Sequence, residues 1–195
     1  LMLIERMILM ESKRVLLLAP KTALDGVWKP HIDEYLPHIG SQDTFSNLKL
    51  MAHTDINTKS QRETFARAAK LADIVIIDDP HSVEGANSDQ QRASTLEWFL
   101  EAVPTRLNNP DRSAIVVIMQ RLHEEDVSGV ILDRQLGYDH LCLPMRATLW
   151  RKDFPTKIGF VDPRTEEGEL LFPARFPQSV VERDERVMGS YATAG

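Results

Sequence analysis

The sequence predicts an α/β fold built on a parallel sheet, and two long apolar runs support that prediction. Residues 74–77 and 114–119 are β-branched or otherwise apolar, with no polar alternation. This pattern is typical of strands buried on both faces. Stretches with helical spacing of apolar residues separate the candidate strands. Repeated strand–helix units of this length favour parallel strands joined by right-handed crossovers.

Turn and cap residues place the elements along the chain. The predicted strands are residues 15–19, 48–51, 74–77, 114–119 and 138–143, the last as an edge strand. The predicted helices are residues 22–36, 61–70, 88–103, 124–136 and 178–188. Pro20 and Pro104 are expected to end a strand and a helix. Thr22 can cap the first of these helices, and Asn87 or Ser88 can cap the third.

Composition excludes several classes of protein. The 195 residues are 43% hydrophobic and 27% charged, as in an ordinary globular protein, and the formal charge of −6 gives no overall basic surface for nucleic acid. The single cysteine, Cys142, excludes an internal disulfide framework and a cysteine zinc cluster, and we expect it to be a small buried apolar residue. The apolar N-terminus is interrupted by Glu5 and Arg6, so residues 1–10 are predicted to form an amphipathic helix rather than a membrane span.

A change in residue composition along the chain predicts two regions. Residues 1–144 carry the strand–helix alternation, whereas residues 145–195 contain four prolines and several glycines before a final helix. We therefore expect a core at 1–144 followed by a loop-rich extension. The chain opens on Leu1 and closes on Ala194-Gly195, and the expectation is a piece of a longer protein.

Two adjacent carboxylates, Asp78 and Asp79, follow the first long apolar run. Ligands in open α/β sheets bind at the carboxyl ends of the strands. A paired acid there suits a nucleotide-hydrolysing site, in which Asp78 holds Mg²⁺ and Asp79 positions or deprotonates the attacking water. The alternative is a plain strand-to-turn junction in which Asp-Asp-Pro only forms the turn.

A second polar cluster, residues 119–126, follows the other long apolar run. If the two strands are neighbours, Gln120 can hydrogen-bond a phosphate or the attacking water, and Arg121 can carry the nucleotide state to a neighbouring element. The alternative makes Arg121 a solvated residue. The acids at 124–126 are interpreted as the first turn of a helix, favoured by its dipole. His123 lacks a second histidine or cysteine at ligand spacing, so a metal role is not predicted.

One feature of ATP-binding sites is absent from these 195 residues. No Gly-x-x-x-x-Gly-Lys-Ser/Thr loop occurs in the sequence, so no P-loop is present to wrap phosphates with backbone amides. Residues 19–22 form the nearest basic loop but contain no glycine. We therefore expect that the 195 residues alone hydrolyse little or no ATP.

The downstream motifs resemble the large subunit of tailed-phage terminases, the ATP-driven motors that package DNA into procapsids. The most specific motif is Gln-Arg-x-His-Glu-x-Asp-x-x-Gly at residues 120–129, and Asp-Asp-Pro-His-Ser at residues 78–82 precedes it. Further matching segments are residues 92–99, 105–107, 168–173 and 189–195.

The resemblance implies a RecA-like, P-loop NTPase-type core lacking its P-loop. It implies Mg²⁺ and ATP as cofactors, Asp78 as the metal ligand, and Asp79, Gln120 and Arg121 as catalytic or coupling residues. Double-stranded DNA, the portal protein and the terminase small subunit become the expected partners, with a homo-oligomeric motor in the bacterial host cytoplasm and no membrane contact. The resemblance also implies a nuclease domain beyond residue 195.

The segment at the start of the chain resembles a different family of proteins. Residues 13–21, with Val27-Trp28, are similar to the segment after the P-loop in superfamily-two helicases, where a strand followed by Ala-Pro-Lys contacts the DNA backbone. Helicases continue their acidic strand with Glu-Ala-His, whereas this chain continues with Asp79-Pro80-His81. Two alternatives therefore stay open: a helicase-like translocase fragment, and a catalytically inactive interaction module.

Overall fold

A computed structural model describes residues 13–39, 46–53, 59–109, 111–149 and 159–192, and for a few of these only the backbone. The chain divides into two compact units, Leu1–Gly129 and Val130–Gly195. The predicted amphipathic helix at 1–10 lies outside the described residues. The predicted boundary at 144 stays a prediction.

The first unit contains a four-stranded, wholly parallel sheet. Its strands are β1 (Val15–Ala19), β2 (Leu48–Ala52), β3 (Ile74–Asp78) and β4 (Ala114–Ile118). They lie side by side in the order β2-β1-β3-β4. The predicted α/β class with a parallel sheet is therefore confirmed. Because all four strands run the same way, the residues that follow them gather at one edge of the sheet.

The strands differ in how deeply they are buried. β1 is buried along its whole length, and β3 is buried up to Asp78, which is only half-buried. β4 alternates between exposed and half-buried residues, and Ile118 keeps 49% of its surface exposed. The prediction that residues 114–119 form a strand buried on both faces was therefore wrong. β4 is the last strand of the described sheet and pairs with β3 alone, so its apolar composition does not imply complete cover.

Helices join the strands of the first unit. Their bounds are α1 (Lys21–Ala23), a π-helix (Leu24–Trp28), α2 (Lys29–Ile39), α3 (Lys59–Ala69), α4 (Val83–Asn87), α5 (Asp89–Ala102), a 3₁₀ turn (Pro104–Arg106) and α6 (Val127–Asp133). Pro20, not Thr22, occupies the first N-cap position, and its fixed φ suits that junction. Ser88 is the cap of α5, as expected, and its hydroxyl accepts the Gln91 N–H.

Helix α6 is shorter than the predicted helix at 124–136. It begins only at Val127 because Asp126 turns back to cap it, and it ends at Asp133. Gln135 then adopts a left-handed backbone with φ of 51°, a conformation that ends helices. The predicted acids at 124–126 therefore precede the helix instead of forming its first turn.

In the second unit, ion pairs organise the loops before α7 (Gln178–Ala192). Arg164 is buried, forks onto the Asp162 carboxylate and donates to three backbone carbonyls. Arg146 forms a two-pronged pair with Glu185 on α7, with Nη2 to Oε2 at 3.0 Å. Such charge-assisted forks hold a segment with little regular structure in one conformation.

Two predictions for the second unit were wrong. Residues 138–143 have an irregular backbone and not the predicted edge strand, because a strand forms only where a neighbouring strand supplies its hydrogen bonds. Cys142 is exposed and not buried, since it lies on this irregular segment. None of the helices in the described part of the chain has the length and apolar content needed to cross a membrane.

Candidate functional site

Asp78 ends β3, and an indole from another element fixes its carboxylate. Trp28 is the last residue of the π-helix, and its Nε1 donates to Asp78 Oδ2 at 2.9 Å. The body of the indole packs on the sheet core that contains Val15, Leu17 and Ile76. A π-helix turn is rare and frequently marks a functional site. Here it places the indole N–H on the acid that the sequence singles out.

Asp79 has a strained backbone. Its φ is 45°, in the left-handed region that non-glycine residues seldom adopt. Its N–H donates to the Ile118 carbonyl at 2.8 Å, which ties the turn after β3 to the end of β4. Local strain of this kind costs about 1 kcal/mol or more and concentrates at functional sites.

The surroundings of Asp79 make its carboxylate a better proton acceptor. Partial burial raises the pKa of Asp79, and the negative charge of Asp78 raises it further. The nearby Gln120 backbone N–H opposes part of that rise in pKa. A carboxylate with a raised pKa beside a second acid is the arrangement expected of a general base.

Gln120 and Arg121 follow β4, and the structure places them differently. Because β3 and β4 are neighbours, Gln120 lies near Asp79, as the expected shared edge requires. Arg121 turns back on its own loop. Its guanidinium donates to the carbonyls of His123 at 3.1 Å and Glu124 at 3.2 Å. Arg121 therefore stabilises the loop in this conformation.

Asp126 organises the loop after β4, although the sequence pattern predicted that it belongs to the first turn of an ordinary helix. It is fully buried, and its carboxylate accepts hydrogen bonds from Leu122 N, His123 N, Ser128 Oγ and Gly129 N. Burial raises its pKa, but these hydrogen bonds outweigh burial and hold the pKa of Asp126 below its usual value. Aspartate is a preferred N-cap residue, and its position directly before the apolar residues of a helix is the signal that could have identified Asp126.

Arg92 joins this loop to helix α5. Its side chain is buried and donates to the Ala86 carbonyl at 2.7 Å, to Asp89 at 2.8 Å and to Glu125 at 3.1 Å. A buried guanidinium with several acceptors is a strong positional constraint. The loop after β4 is therefore held in place by Arg92 of helix α5 and by Asp126, which belongs to the loop itself.

Two histidines also lie at this edge of the sheet. Nothing in the sequence marks them as site residues except that each follows a strand. His53 follows β2, and burial lowers its pKa against the opposing effects of a Leu18 backbone hydrogen bond and the Asp78 charge. His81 follows the acid pair and is 5% exposed. The parallel order of the strands, which is a tertiary property, brings both histidines towards the acids.

The residues at this edge suit a hydrated hard cation better than a closed metal site. The described part of the chain has no cluster of three or more His, Cys, Asp or Glu residues that could hold a metal ion. Mg²⁺ is commonly held by one or two carboxylates together with waters and substrate phosphates. Asp78 and Asp79 fit that pattern, and Asp78 is the better ligand candidate because the indole fixes its orientation.

The Trp28 contact leads to a stability prediction. Trp28→Phe keeps an aromatic ring but removes the N–H bound to Asp78, and we expect it to lower the free energy of unfolding by about 1–2 kcal/mol. Trp98→Phe is the matched control, because Trp98 Nε1 is buried with no hydrogen-bond acceptor in the described structure. Urea unfolding of both variants measures the difference, and equal losses would show that the Asp78 hydrogen bond contributes nothing.

Comparison of the chain with models of known protein families and with curated proteins found no match to either.

Proposed function

We propose that this chain is part of the large subunit of a tailed-phage terminase, the ATP-hydrolysing motor that packages viral DNA. The observation that carries the proposal is the acid pair at the carboxyl end of β3, where the Asp79 N–H donates to the Ile118 carbonyl and joins the pair to the end of β4. The wholly parallel sheet is compatible with a RecA-like core. The motif at residues 120–129 supports the terminase assignment over other nucleotide hydrolases.

In this mechanism each residue at the edge has one task. Asp78, oriented by the Trp28 indole, would hold Mg²⁺, which when bound neutralises charge on the phosphates of ATP. Asp79 accepts the proton of the attacking water, for which its raised pKa suits it. Gln120 follows β4, the neighbour of β3, and its side chain contacts the water or a phosphate oxygen.

The proposed partners follow from the same assignment. They are double-stranded DNA, the portal protein, the terminase small subunit and further copies of the motor subunit. With a formal charge of −6, contact with DNA must be local rather than spread over the whole surface.

The second candidate is a non-catalytic interaction module that keeps the α/β scaffold without turnover. The absence of a P-loop motif from these residues favours it. A helicase-like translocase fragment, suggested by residues 13–21, shares the chemistry and changes only the DNA task. ATP turnover separates the module from both motor candidates, and stimulation by procapsids separates the two motors.

Asp79→Asn in the full-length protein is expected to abolish magnesium-dependent ATP turnover. An amide cannot accept the proton, whereas asparagine tolerates the left-handed backbone, so the free energy of unfolding should change by less than about 1 kcal/mol. Asp111→Asn, at an exposed turn before β4, is the control and should keep full turnover. Wild-type turnover in Asp79→Asn would refute the assignment of the base.

A further inference from the structure

His81 connects the acid turn to the loop and helix that follow β4. It lies three residues after Asp78 and is 5% exposed. Its Nε2 accepts a hydrogen bond from the Val127 backbone N–H at 3.2 Å, although the two residues are 46 positions apart. Val127 is the first residue of α6. The imidazole therefore fastens the turn that carries the acids to the start of that helix.

The hydrogen bond fixes the form of the imidazole. An acceptor at Nε2 carries no proton, so His81 is neutral and its proton is on Nδ1. Burial lowers the pKa of His81 and favours this form; the Asp126 charge opposes the effect, and Arg92 and His123 add to it. Repulsion between the charged forms of the two imidazoles also links His81 to His53, which follows β2, and it lowers the pKa of His53. Within the described structure Nδ1 is buried without a hydrogen-bond partner.

The start of α6 is rigidly joined to the residues that contact Asp79. The Asp126 carboxylate binds Leu122 N, His123 N and Gly129 N together, so the loop and the first turn of α6 move as one piece. This piece meets the acid turn through His81 and Val127, and the adjoining end of β4 meets it through the Ile118 carbonyl, which accepts the Asp79 N–H. A change at one contact therefore changes the other.

We propose that His81 is a positioning residue, which sets the position of the acid turn against the end of β4 and the loop after it by holding the Val127 N–H. The catalytic meaning of that placement rests on the proposed function, whereas the coupling between the two contacts does not. When the acid turn moves, His81 pulls on α6 and shifts the loop that carries Gln120 and Arg121. The chain thus has a direct mechanical connection between its acid pair and the residues after β4.

Amide hydrogen exchange in the 195-residue chain tests the coupling without ATP. His81→Phe removes the acceptor and keeps a ring, and we expect exchange at the Val127 and Asp79 amides to accelerate by roughly tenfold. His81→Gln places an acceptor at similar reach and should restore slow exchange at both amides. His31→Phe, at an exposed position on α2, is the matched control and should leave both rates unchanged.

Faster exchange at Val127 with no change at Asp79 would overturn the proposal, as would equal acceleration in His81→Gln and His81→Phe. If His81→Phe does not fold, nitrogen NMR of the wild-type protein still tests the proposal, because it reports the tautomer of the His81 imidazole. The Nδ1–H form is expected, and an Nε2–H form would overturn the proposal. In the full-length protein, His81→Phe should lower kcat more than KM, with rescue by His81→Gln. Absence of turnover in the wild type would refute the proposed function and leave the exchange result standing.

Discussion

Replacing Asp126 by alanine is expected to lower the free energy of unfolding by about 3–5 kcal/mol, the largest loss for any single carboxylate in the described structure. The side chain is completely buried, and four donors converge on it, three of them backbone N–H groups. Removing it leaves these donors buried without an acceptor and releases the loop before α6. Guanidinium unfolding of the variant measures the loss.

Asp126→Asn tests the charge separately from the shape. Because the folded-state pKa of Asp126 is lowered, its charge stabilises the protein above the unfolded-state pKa of about 4. That contribution is lost as the pH falls through the folded-state pKa. The stability difference between wild type and Asp126→Asn should therefore be full at pH 7 and shrink below about pH 4. Asp111→Ala should change stability by less than about 0.5 kcal/mol, and an equal loss there would refute the special role of Asp126.

Gly129→Ala is expected to lower the free energy of unfolding by about 3 kcal/mol or more, because the added methyl group has no room. An ideal Cβ at this position would lie 1.9 Å from the Glu124 carbonyl oxygen and 2.8 Å from its carbon. Both are backbone atoms, so the loop before α6 must move. That movement would also disturb the hydrogen bond from Gly129 N to Asp126.

Gly26→Ala is the matched control for the same chemical change. Nothing lies within 4 Å of a Cβ built at Gly26, which is in the π-helix. Alanine forms helices better than glycine by about 1 kcal/mol, so this variant should be neutral or slightly more stable. Thermal unfolding of both variants decides the question. A small loss for Gly129→Ala would show that the loop before α6 yields easily, which contradicts the tight cap around Asp126.

The strand cores were predictable from sequence because buried apolar runs dictate them directly. The bounds of β1 match the prediction, and β3 extends it by one residue to Asp78. Strand order was not predictable in the same way. Whether β4 lies inside the sheet or at its end depends on partners that its own residues do not specify. The predicted edge strand at 138–143 failed for the same reason.

At the candidate site, features set by neighbouring residues in the sequence were predictable, whereas contacts between residues far apart in the sequence were not. The position of Asp78, Asp79 and Gln120 at one edge of the sheet was predictable, because they end or follow neighbouring strands of a parallel sheet. Trp28 and His81 were missed as site residues because their contacts, with Asp78 and Val127, span 50 and 46 residues. Asp126 could have been found, since its position directly before the apolar residues of a helix marks it, but adjacent acids made it resemble an ordinary charged helix turn.

The most direct test of the central claim is to locate a divalent cation bound with ATP on the isotopically labelled full-length protein. Mn²⁺ replaces Mg²⁺ and broadens the NMR signals of nearby amides. Broadening is predicted at Asp78, Asp79 and Gln120; it should disappear in Asp78→Asn and persist in Asp111→Asn. Broadening at other residues alone, or unchanged broadening in Asp78→Asn, would contradict the assignment of this edge as a nucleotide site.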